Sequence, residues 1–532
     1  MKRRSFLLGT ASAASLVAVG RPAAAQARAN VLKYVPSGTL NNLDPMWTTA
    51  DVVAREHGHM IYDTLFGMTD EFAASPQLAQ GHAFNADNTE CRITLRQGLV
   101  FHDNSPIQAQ DCVSSIKRWM GANGSLIGQY VASILVDLTA ADDHTIVFRM
   151  SRPFPMLVNL MASIVAPVPF IMPKRIADQA PSADFSDTTG SGPFRFVASE
   201  FRAGIKAVYE KFAGYKPTSA KFEGMTSGPK VVHFERVEWL SIPDSSTAFS
   251  ALQSGEVDWV AQTQPELLEI ARQTPTLTVS KMESLPRVGT LRFNSKNAPF
   301  NNRKLRQALL RAISQKDFGI ATVGNDTDAY MEGVGFFPPG TPMASRAGLE
   351  PLLAGQNLQE ARRLIAESGY NGELIRVLGP TNVTTLAAHA EVGIDLFRRL
   401  GLNVRPEMVD WGTVVQKRTS RAPVSEGGWS AMFLVWPGPT MMLPATNTML
   451  QGAGDKAPFG WPDIPRLEEL RAKWFEAPSL DAQKKIAEDI QRVAMEELPY
   501  IPVSAIFSFT VTRAALKDRV IGFPIFWNVR RG

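Results

Sequence analysis

The fold of this chain is decided by residues 402–443, which read LNVRPEMVDWGTVVQKRTSRAPVSEGGWSAMFLVWPGPTMML. Apolar and polar residues alternate over 402–409, which predicts a half-buried strand. Residues 411–419 have helical character, and 430–436 form a continuous apolar run that is typical of a strand covered on both faces. The stretch therefore predicts a strand–helix–strand unit of an open α/β sheet.

The same stretch predicts a ligand crevice. In open α/β sheets, ligands bind beyond the carboxyl ends of the strands. Those ends fall at Trp411 and Trp436, and a helix over 411–419 places Arg418 two turns from Trp411 on one face. The alternative is ordinary packing, because tryptophans commonly serve as core or rim residues and helical arginines commonly point into water.

The start of the chain predicts export. Arg3 and Arg4 precede a mildly apolar stretch over 6–19, and residues 23–25 form a small-residue cleavage pattern, with 25–27 as a second candidate. Residues 1–25 are therefore interpreted as a signal of the twin-arginine kind, which directs the protein to the periplasm. An anchor left in place is disfavoured, because the segment is too short to cross a bilayer comfortably.

Charge and composition disfavour a nucleic-acid partner. The chain has 55 Lys and Arg against 51 Asp and Glu, and residues 1–25 hold four of the basic residues and no acid. Without that segment the balance is 51 against 51, so the basic excess belongs to the signal. A chain of 532 residues with 45% hydrophobic content predicts two or three domains.

Cysteine usage is sparse. Cys91 and Cys112 are the two cysteines, and neither lies in a Cys-x-x-Cys pair of the metal-binding kind. Export permits a disulfide between them, but the sequence does not decide whether it forms.

A coarse pattern of strands and helices follows the chain. Residues 154–173 lack charge but contain four prolines, which favours a short buried helix and an extended connection over a membrane span. Beyond 288 the strands and helices alternate. The predicted strands are 31–36, 90–96, 137–141, 145–150, 194–199, 288–293, 374–378 and 507–511, and the predicted helices are 52–65, 111–120, 246–255, 302–314, 358–368, 385–400 and 481–497.

Signals for catalysis are weak. His57 and His59 are two apart on a predicted helix and face different ways, so ordinary helix histidines are favoured over a metal site. His102 and Asp103 have the composition of an acid–base pair, but no nucleophile motif accompanies them. The glycine-rich turn at 188–194 is followed by a proline and a strand, whereas a phosphate loop needs a helix there. We therefore predict a binding protein with no catalytic residues, metal or cofactor.

The chain resembles the family 5 solute-binding proteins of ABC importers, the dipeptide, oligopeptide and nickel type. The resemblance covers nearly all of the chain beyond the signal, in the family's order. It rests on Leu43-Asp44-Pro45, Phe101-His102-Asp103 with Pro106 and Asp111, Gly190-Ser191-Gly192-Pro193-Phe194, Gly255-Glu256-Val257-Asp258, Phe293-Asn294 with Pro299-Phe300, Arg306-Gln307-Ala308-Leu309 with Ala312-Ile313, residues 361–370, and Leu498-Pro499-Tyr500-Ile501-Pro502.

The resemblance implies an α/β, two-lobed periplasmic binding protein fold of type II, in its three-domain variant, with a hinged cleft between the lobes. It implies a monomer that captures a small-molecule or peptide-like ligand and delivers it to ABC permease subunits at the inner membrane. The implied boundaries are 28–72, 188–286 and 503–532 for lobe I, 73–187 for the inserted domain II, and 287–502 for lobe III.

The resemblance also implies a set of ligand-binding residues. In peptide-binding relatives a cleft helix carries a tryptophan and, seven residues on, an arginine, and Trp411 and Arg418 look like that pair. Trp436 looks like a later cleft tryptophan, which in those relatives is followed three residues on by an aspartate that holds the peptide's ammonium. Here Pro439 stands at that position, which puts ordinary peptide recognition in doubt. The remaining candidates are Pro437, Gly438, Trp47 and Thr48.

Some alternatives stay open. Asp410 or Glu426 could supply the missing acid. An exported enzyme is the rival class, since twin-arginine export often serves proteins folded around cofactors, although cofactor motifs are missing. A periplasmic chaperone or sensor accessory with the same fold is a third.

Overall fold

The computed structural model describes residues 30–122, 125–182 and 184–532. The predicted signal over 1–25 and its cleavage sites lie outside the described residues. The strands are β1 (Val31–Val35), β2 (Asp63–Thr64), β3 (Phe66–Met68), β4 (Ala74–Pro76), β5 (Ala79–Phe84), β6 (Glu90–Leu95), β7 (Leu135–Ala140), β8 (Thr145–Met150), β9 (Phe170–Ile171), β10 (Phe194–Phe196), β11 (Lys206–Lys211), β12 (Arg236–Leu240), β13 (Trp259–Val260), β14 (Leu277–Lys281), β15 (Arg287–Phe293), β16 (Tyr330–Met331), β17 (Ile375–Pro380), β18 (Val404–Val409), β19 (Ala431–Trp436), β20 (Tyr500–Ile506), β21 (Phe509–Arg513), β22 (Leu516–Lys517) and β23 (Arg530–Arg531).

A π-helical segment, Val52–His57, precedes the first α-helix, and four short 3₁₀ turns lie elsewhere in the described chain. The α-helices are α1 (Gly58–Ile61), α2 (Ala109–Gly121), α3 (Leu126–Ile134), α4 (Leu157–Met161), α5 (Lys174–Ala177), α6 (Ser245–Ser254), α7 (Pro265–Arg272), α8 (Arg303–Ala312), α9 (Gln315–Val323), α10 (Glu350–Leu353), α11 (Leu358–Glu367), α12 (Thr384–Arg399), α13 (Trp411–Lys417), α14 (Gly438–Met441), α15 (Pro465–Glu476) and α16 (Leu480–Glu497).

The first large sheet, which we call the lobe I sheet, takes its strands from distant parts of the chain. Its order is β10-β11-β12-β1-β13-β21-β14. β1 lies parallel to both β12 and β13, and β21 runs antiparallel between β13 and β14. The chain therefore leaves this sheet and returns to it, as expected for a lobe that contains insertions.

The second large sheet, the lobe III sheet, contains the stretch that decides the fold. Its order is β16-β20-β15-β19-β17-β18, with β17, β18 and β19 parallel. β15 is antiparallel to both neighbours, β19 and β20. β19 is covered on both faces: Met432 and Leu434 pack with Val414, whereas Phe433 contacts Phe397 on the opposite side. This double burial is why its sequence is a continuous apolar run.

The third sheet lies within residues 73–187, which we call domain II, and is antiparallel with the order β5-β6-β8-β7. α2 contacts β7 and β8 of this sheet. A buried ion pair between Arg118 and Asp44, 2.6 Å apart, fastens domain II to the segment that follows β1. Domain II also touches lobe III, because the ring of Tyr130 stacks on Phe475 with centroids 3.6 Å apart.

Two crossing segments connect the large sheets. Residues 282–286 lead from β14 to β15, and residues 507–508 lead from β20 to β21. The segments are bonded to each other, since the Met282 backbone N–H donates to the Ser508 carbonyl oxygen at 2.9 Å. The implied boundary at 502–503 falls inside β20, which pairs with β15 of the lobe III sheet.

Several predicted elements differ in detail. The helix predicted over 52–65 is a π-helical segment followed by the single turn α1 and by β2. The strand predicted over 507–511 begins at Phe509, and β20 went unpredicted because Pro502 interrupts its pattern. Pro502 is accommodated beside an irregularity in the pairing of β15 with β20, a position where a strand tolerates a missing N–H.

Residues 154–173 form α4, an extended connection and β9. Within the described residues, no helix is both long and apolar enough to cross a membrane. Cys91 and Cys112 are buried free thiols, so the disulfide that export permits does not link them here. Burial raises the pKa of the Cys91 thiol to about 12.

Candidate functional site

Both large sheets turn the carboxyl ends of their parallel strands toward the crossing segments. In lobe III, Trp436 at the end of β19 pairs with Val288, at the start of β15. In lobe I, Lys281 at the end of β14 pairs with Phe509, and β13, β12 and β1 run in the same direction as β14. The two carboxyl edges therefore face one another across the hinge, which is where open α/β sheets bind ligands.

Arg418 and Trp411 meet as predicted. Asp410 caps α13 by accepting the Thr413 backbone N–H at 3.0 Å, which starts the helix at Trp411. Side chains on a helix tilt toward its N-terminus, so Arg418 at the end of α13 reaches back along it. Its guanidinium carbon lies 5.6 Å from the centroid of the Trp411 ring.

Phe459 supplies a second aromatic face for Arg418. The guanidinium carbon lies 4.4 Å from the centroid of its ring. Within the described residues, no acidic side chain pairs with Arg418, and burial alone lowers the pKa of its guanidinium below the usual value. The side chain is thus a half-buried cation that is held by rings and lacks a counter-ion.

Trp436 joins the same apolar cluster. Trp411, Trp436 and Phe459 all pack against a buried group that includes Val414 and Trp429. The Trp436 indole N–H is buried and has no hydrogen-bond acceptor among the described residues. The three predicted lobe III side chains, Trp411, Arg418 and Trp436, therefore lie on one face of the lobe III sheet.

The loop after Trp436 packs on the hinge. Pro437 is half-buried, whereas Gly438 and Pro439 are buried. A side chain at Gly438 would place its Cβ 2.5 Å from the Leu285 Cβ and 2.6 Å from the Pro286 carbonyl oxygen. The absence of a side chain at this position is what lets the end of the lobe III strand lie against the first crossing segment.

Trp47 and Thr48 lie in the opposite lobe, on the segment that follows β1. Trp47 is 50% exposed, an unusual exposure for a tryptophan. The Thr48 hydroxyl accepts the Ala50 backbone N–H at 3.1 Å and so shapes the local turn. The structure thus brings together the lobe III candidates and places the lobe I pair separately.

The two acids considered as replacements for the missing aspartate are placed unfavourably. Both carboxylate oxygens of Asp410 are engaged by Thr413, one by its backbone N–H and the other by its hydroxyl, as the cap of α13. Glu426 lies in the turn before the amino end of β19, and that strand separates it from Trp436 by roughly 17 Å. Glu426 therefore lies far from the carboxyl end of β19, and Asp410 is already engaged as a helix cap.

Comparison with known proteins identifies the family. Residues 73–457 match the family model described as bacterial extracellular solute-binding proteins, family 5 Middle. The chain is 31% identical, over 509 residues and 92% of each chain, to the probable peptide ABC transporter periplasmic-binding protein y4tO of Sinorhizobium fredii (strain NBRC 101917 / NGR234). The chain belongs to family 5 of the bacterial extracellular solute-binding proteins.

Further relatives of this family 5 protein agree. It is 23% identical over 397 residues to the glutathione-binding protein GsiB of Salmonella typhi, covering 73% of this chain and 72% of that one. Among solved structures, the periplasmic binding protein AgaA of A. tumefaciens R10 in complex with agropinic acid superposes with a TM-score of 0.77 at 19% identity, over 94% of this chain and 99% of that one. The dipeptide binding protein of Pseudoalteromonas sp. SM9913 in complex with Met-Leu gives 0.74 at 19% identity, over 94% and 100%.

These comparisons confirm the predicted family and the two-lobed α/β fold. The family 5 protein is a solute-binding receptor of the ABC-importer type, with a periplasmic location. The family and the relatives are binding proteins rather than enzymes. The rival readings, an exported enzyme or a chaperone or sensor accessory, are not favoured.

His57, His59 and His102, the histidines considered for metal binding or catalysis, are buried in this family 5 protein. The His102 ring accepts the Gly190 backbone N–H at 3.1 Å and donates to the Gly192 carbonyl oxygen at 3.1 Å, so it braces the glycine-rich turn. Burial lowers the pKa of His102 to about 4 and that of His57 to about 3. Within the described residues, no group of three or more His, Cys, Asp or Glu side chains is placed to hold a metal ion.

Sequence reasoning missed Phe459, on the face of the lobe III sheet that carries Trp411, and Thr263, at the carboxyl edge of the lobe I sheet. Phe459 lies in the loop 458–462, Pro-Phe-Gly-Trp-Pro, whose alternating aromatic and turn residues are the signal that could have marked it. Thr263 follows β13 in lobe I, and its hydroxyl is buried without a hydrogen-bond partner among the described residues. The Thr263 backbone N–H donates to the carbonyl oxygen of Phe509, beside the second crossing segment.

Proposed function

We propose that this receptor binds a small organic solute, peptide-like molecules included, that carries an anionic or neutral polar group on an apolar or planar body. Trp411, Arg418, Trp436 and Phe459 form the lobe III wall of the site. Trp47 and Thr48 contribute from lobe I, and Pro437, Gly438 and Pro439 join the wall to the hinge. The observation that carries the proposal is the half-buried Arg418 between two aromatic rings, without an acidic partner.

The electrostatics favour an anionic group. A cation that loses water on burial is stabilised by a partner charge, and a carboxylate can meet the guanidinium through two parallel hydrogen bonds. The rings hold the guanidinium in place before the ligand arrives, so little side-chain entropy is lost on binding. Tryptophan faces on the same wall suit an apolar or planar ligand body.

The same wall is a poor site for a free ammonium. Pro439 offers neither charge nor a side-chain acceptor, and Asp410 is occupied as a helix cap. A buried ammonium without a carboxylate partner is strongly disfavoured. Free-amino dipeptides are therefore expected to bind poorly. The glutathione and Met-Leu named for relatives carry both carboxylate and ammonium groups. Their carboxylates agree with the role given to Arg418, and the ammonium is where this receptor is expected to differ.

Delivery follows from hinge closure. Ligand contacts with both lobes favour the closed arrangement, which the permease subunits at the inner membrane receive. We further propose a monomer, with lobe I formed by 28–72, 188–286 and 508–532, domain II by 73–187 and lobe III by 287–507. The last boundary is moved from the implied one because β20 belongs to the lobe III sheet.

The decisive experiment is mass spectrometry of the small molecules that co-purify with the protein, followed by a thermal-shift panel. Saturating ligand at one hundred times its dissociation constant stabilises the folded state by about 2.7 kcal/mol. Calorimetry with a mixed dipeptide library and the same library after N-acetylation then tests the charge preference. We expect little heat from the free-amino library; micromolar binding that disappears on acetylation would overturn the preference.

A further inference from the structure

Arg292 is an unusual core residue. It lies on β15 with 0% of its surface exposed, and within the described chain it has no acidic partner. Its guanidinium instead donates to backbone carbonyl oxygens of four residues: Phe459 at 2.8 Å, Met449 at 2.9 Å, Pro499 at 2.8 Å and Pro458 at 3.4 Å.

These hydrogen bonds offset part of the free-energy cost of burying the charge. An unpaired buried cation is strongly disfavoured, and here desolvation lowers the pKa of Arg292 to about 9. The four carbonyl dipoles offset part of that cost. The oxygens of Phe459, Met449 and Pro499 would lose this donor if an apolar residue replaced the arginine, whereas the Pro458 oxygen also accepts the Trp461 backbone N–H at 3.0 Å. Two of the four belong to the loop 458–462, so the guanidinium fork ties that loop to β15.

The loop 458–462 also contacts Arg418, the cationic side chain proposed to bind the ligand. Phe459 lies against Arg418, and Trp461 lies against Arg421 with the guanidinium carbon 5.1 Å from its ring centroid. Gly460, between the two rings, is pressed onto β15: a Cβ there would lie 2.7 Å from the Arg292 Nε and 2.3 Å from the Phe293 carbonyl oxygen. A glycine at φ +94° is therefore what allows Arg292 to hold the loop at this distance.

We propose that Arg292 is a positioning residue of the ligand site, which holds Phe459 against Arg418 and so fixes the guanidinium that receives the ligand's anionic group. This inference rests on the ligand-binding role proposed for Arg418. Arg292 touches no ligand itself. It acts through the loop, and its removal is expected to free the Arg418 side chain to adopt several rotamers, which then costs affinity when the ligand orders it again.

The test begins without any ligand, so that it is independent of the proposed function. Arg292→Lys keeps the charge but loses the planar fork that reaches four carbonyls. Phenylglyoxal modifies accessible arginines, and peptide mass spectrometry reports the rate at Arg418. We expect the rate at Arg418 to rise roughly five-fold, the factor expected from losing one partly desolvated cation–π contact. The exposed Arg466 should react at its wild-type rate and serves as the internal reference.

Gly460→Ala provides the second variant, because its Cβ displaces the loop from Arg292 while the arginine remains. This variant should also raise the rate at which phenylglyoxal modifies Arg418. An unchanged rate at Arg418 in either folded variant would overturn the proposal. Failure of both variants to fold would also overturn it, since Arg292 would then serve the fold as a whole rather than this loop.

A binding arm separates this inference from the proposed function. The N-acetylated dipeptide library is titrated into wild type and Arg292→Lys, with roughly ten-fold weaker binding expected in the variant. If wild type binds none of the library while the Arg418 rate responds as described, the ligand preference fails and the positioning role stands. If wild type binds and the variant binds equally well, the positioning role fails and the proposed function stands.

Discussion

At the scale of single residues, Arg418 is the side chain on which ligand recognition is expected to depend. Replacement by alanine removes the one charged side chain that we propose contacts the ligand. We expect Arg418→Ala to weaken binding by about 1.5–3 kcal/mol, roughly ten- to a hundred-fold, because a charge-assisted contact is lost. Calorimetry with the co-purified ligand measures the change.

Lys417→Ala is the matched control for Arg418→Ala. It removes a positive charge one residue away, from a side chain that already pairs with Glu407 at 2.6 Å. Its affinity should stay near the wild-type value. Equal affinities for wild type and a normally folded Arg418→Ala variant would remove Arg418 from the site.

A second residue prediction concerns pH and Glu56, which is buried in the π-helical segment. The Tyr34 hydroxyl donates to its carboxylate at 2.9 Å, and burial raises the pKa of Glu56 to about 8. Between its ordinary pKa near 4.5 and 8, the folded state holds a proton that the unfolded state has released, so stability falls as pH rises. His57, with its pKa lowered to about 3, acts in the opposite sense only up to its ordinary value of 6.5.

Stability is therefore expected to fall by up to roughly 2 kcal/mol from pH 6.5 to 8, as a lower midpoint of thermal unfolding. Glu56→Gln should flatten this fall, because the amide mimics the protonated acid without titrating. Glu71→Gln changes an exposed carboxyl in the same part of the chain and should show the same fall in stability with pH as wild type. A Glu56→Gln profile parallel to wild type would contradict the assignment.

The remaining prediction for single residues concerns Arg3 and Arg4 and the export pathway. Paired arginines before a weakly apolar stretch motivate the proposal of twin-arginine export. The double variant Arg3→Lys, Arg4→Lys should accumulate in the cytoplasm with residues 1–25 attached, and the exported wild type should begin at Gln26 or Arg28. Cell fractionation and N-terminal sequencing measure both, and normal export of the double variant would exclude this pathway.

At the scale of elements, the contact between α14 and the first crossing segment is the most sensitive to volume. The added methyl group of Gly438→Ala meets the Leu285 Cβ and the Pro286 carbonyl oxygen at less than 3 Å, and neither belongs to a flexible side-chain end. We expect a loss of stability of about 1–3 kcal/mol from overpacking. Denaturant unfolding measures it, and Gly121→Ala, where no side chain or other segment of the described chain lies within 4 Å of the added Cβ, should be nearly neutral.

Elements were predictable from the sequence where local pattern and tertiary burial agree. β19 was predicted because its continuous apolar run matches its burial, and α13 because its spacing turns Val414 toward the sheet. β18 was predicted from alternation, although five of its six residues are half-buried. β20 was missed because Pro499 and Pro502 mask an otherwise apolar strand. The π-helical segment was read as an ordinary helix, since its spacing differs by less than one residue per turn.

The candidate site was only partly predictable for a related reason. Trp411 and Arg418 share one helix, so their contact follows from local geometry. Phe459 comes from a distant loop that the long-range bonds of Arg292 tie to β15, a relation that no local pattern encodes. The packing of Gly438 on the crossing segment likewise depends on how two lobes meet, which sequence periodicity does not report.

At the scale of the whole molecule, domain II and lobe III form a contact that hinge motion must alter. Domain II is fastened to the lobe I side by the buried pair of Arg118 with Asp44, so it is expected to move with lobe I. The stack of Tyr130 on Phe475 therefore bridges two bodies that rotate about the crossing segments. The neighbouring ion pair of Arg152 with Glu476, 2.5 Å apart, is half-exposed and therefore contributes little to the stability of this contact.

Removing the stack should shift the balance between arrangements of the lobes. An aromatic pair contributes about 0.5–1.5 kcal/mol, and about 1 kcal/mol changes a population ratio roughly five-fold. We expect ligand-free Phe475→Ala to have a larger radius of gyration than wild type by small-angle X-ray scattering, and the co-purified ligand to compact both. Phe222→Ala, which truncates an exposed phenylalanine of lobe I, should scatter like wild type. Identical scattering of Phe475→Ala and wild type would show that the stack does not hold domain II to lobe III, and failure of ligand to compact either protein would argue against closure about residues 282–286 and 507–508.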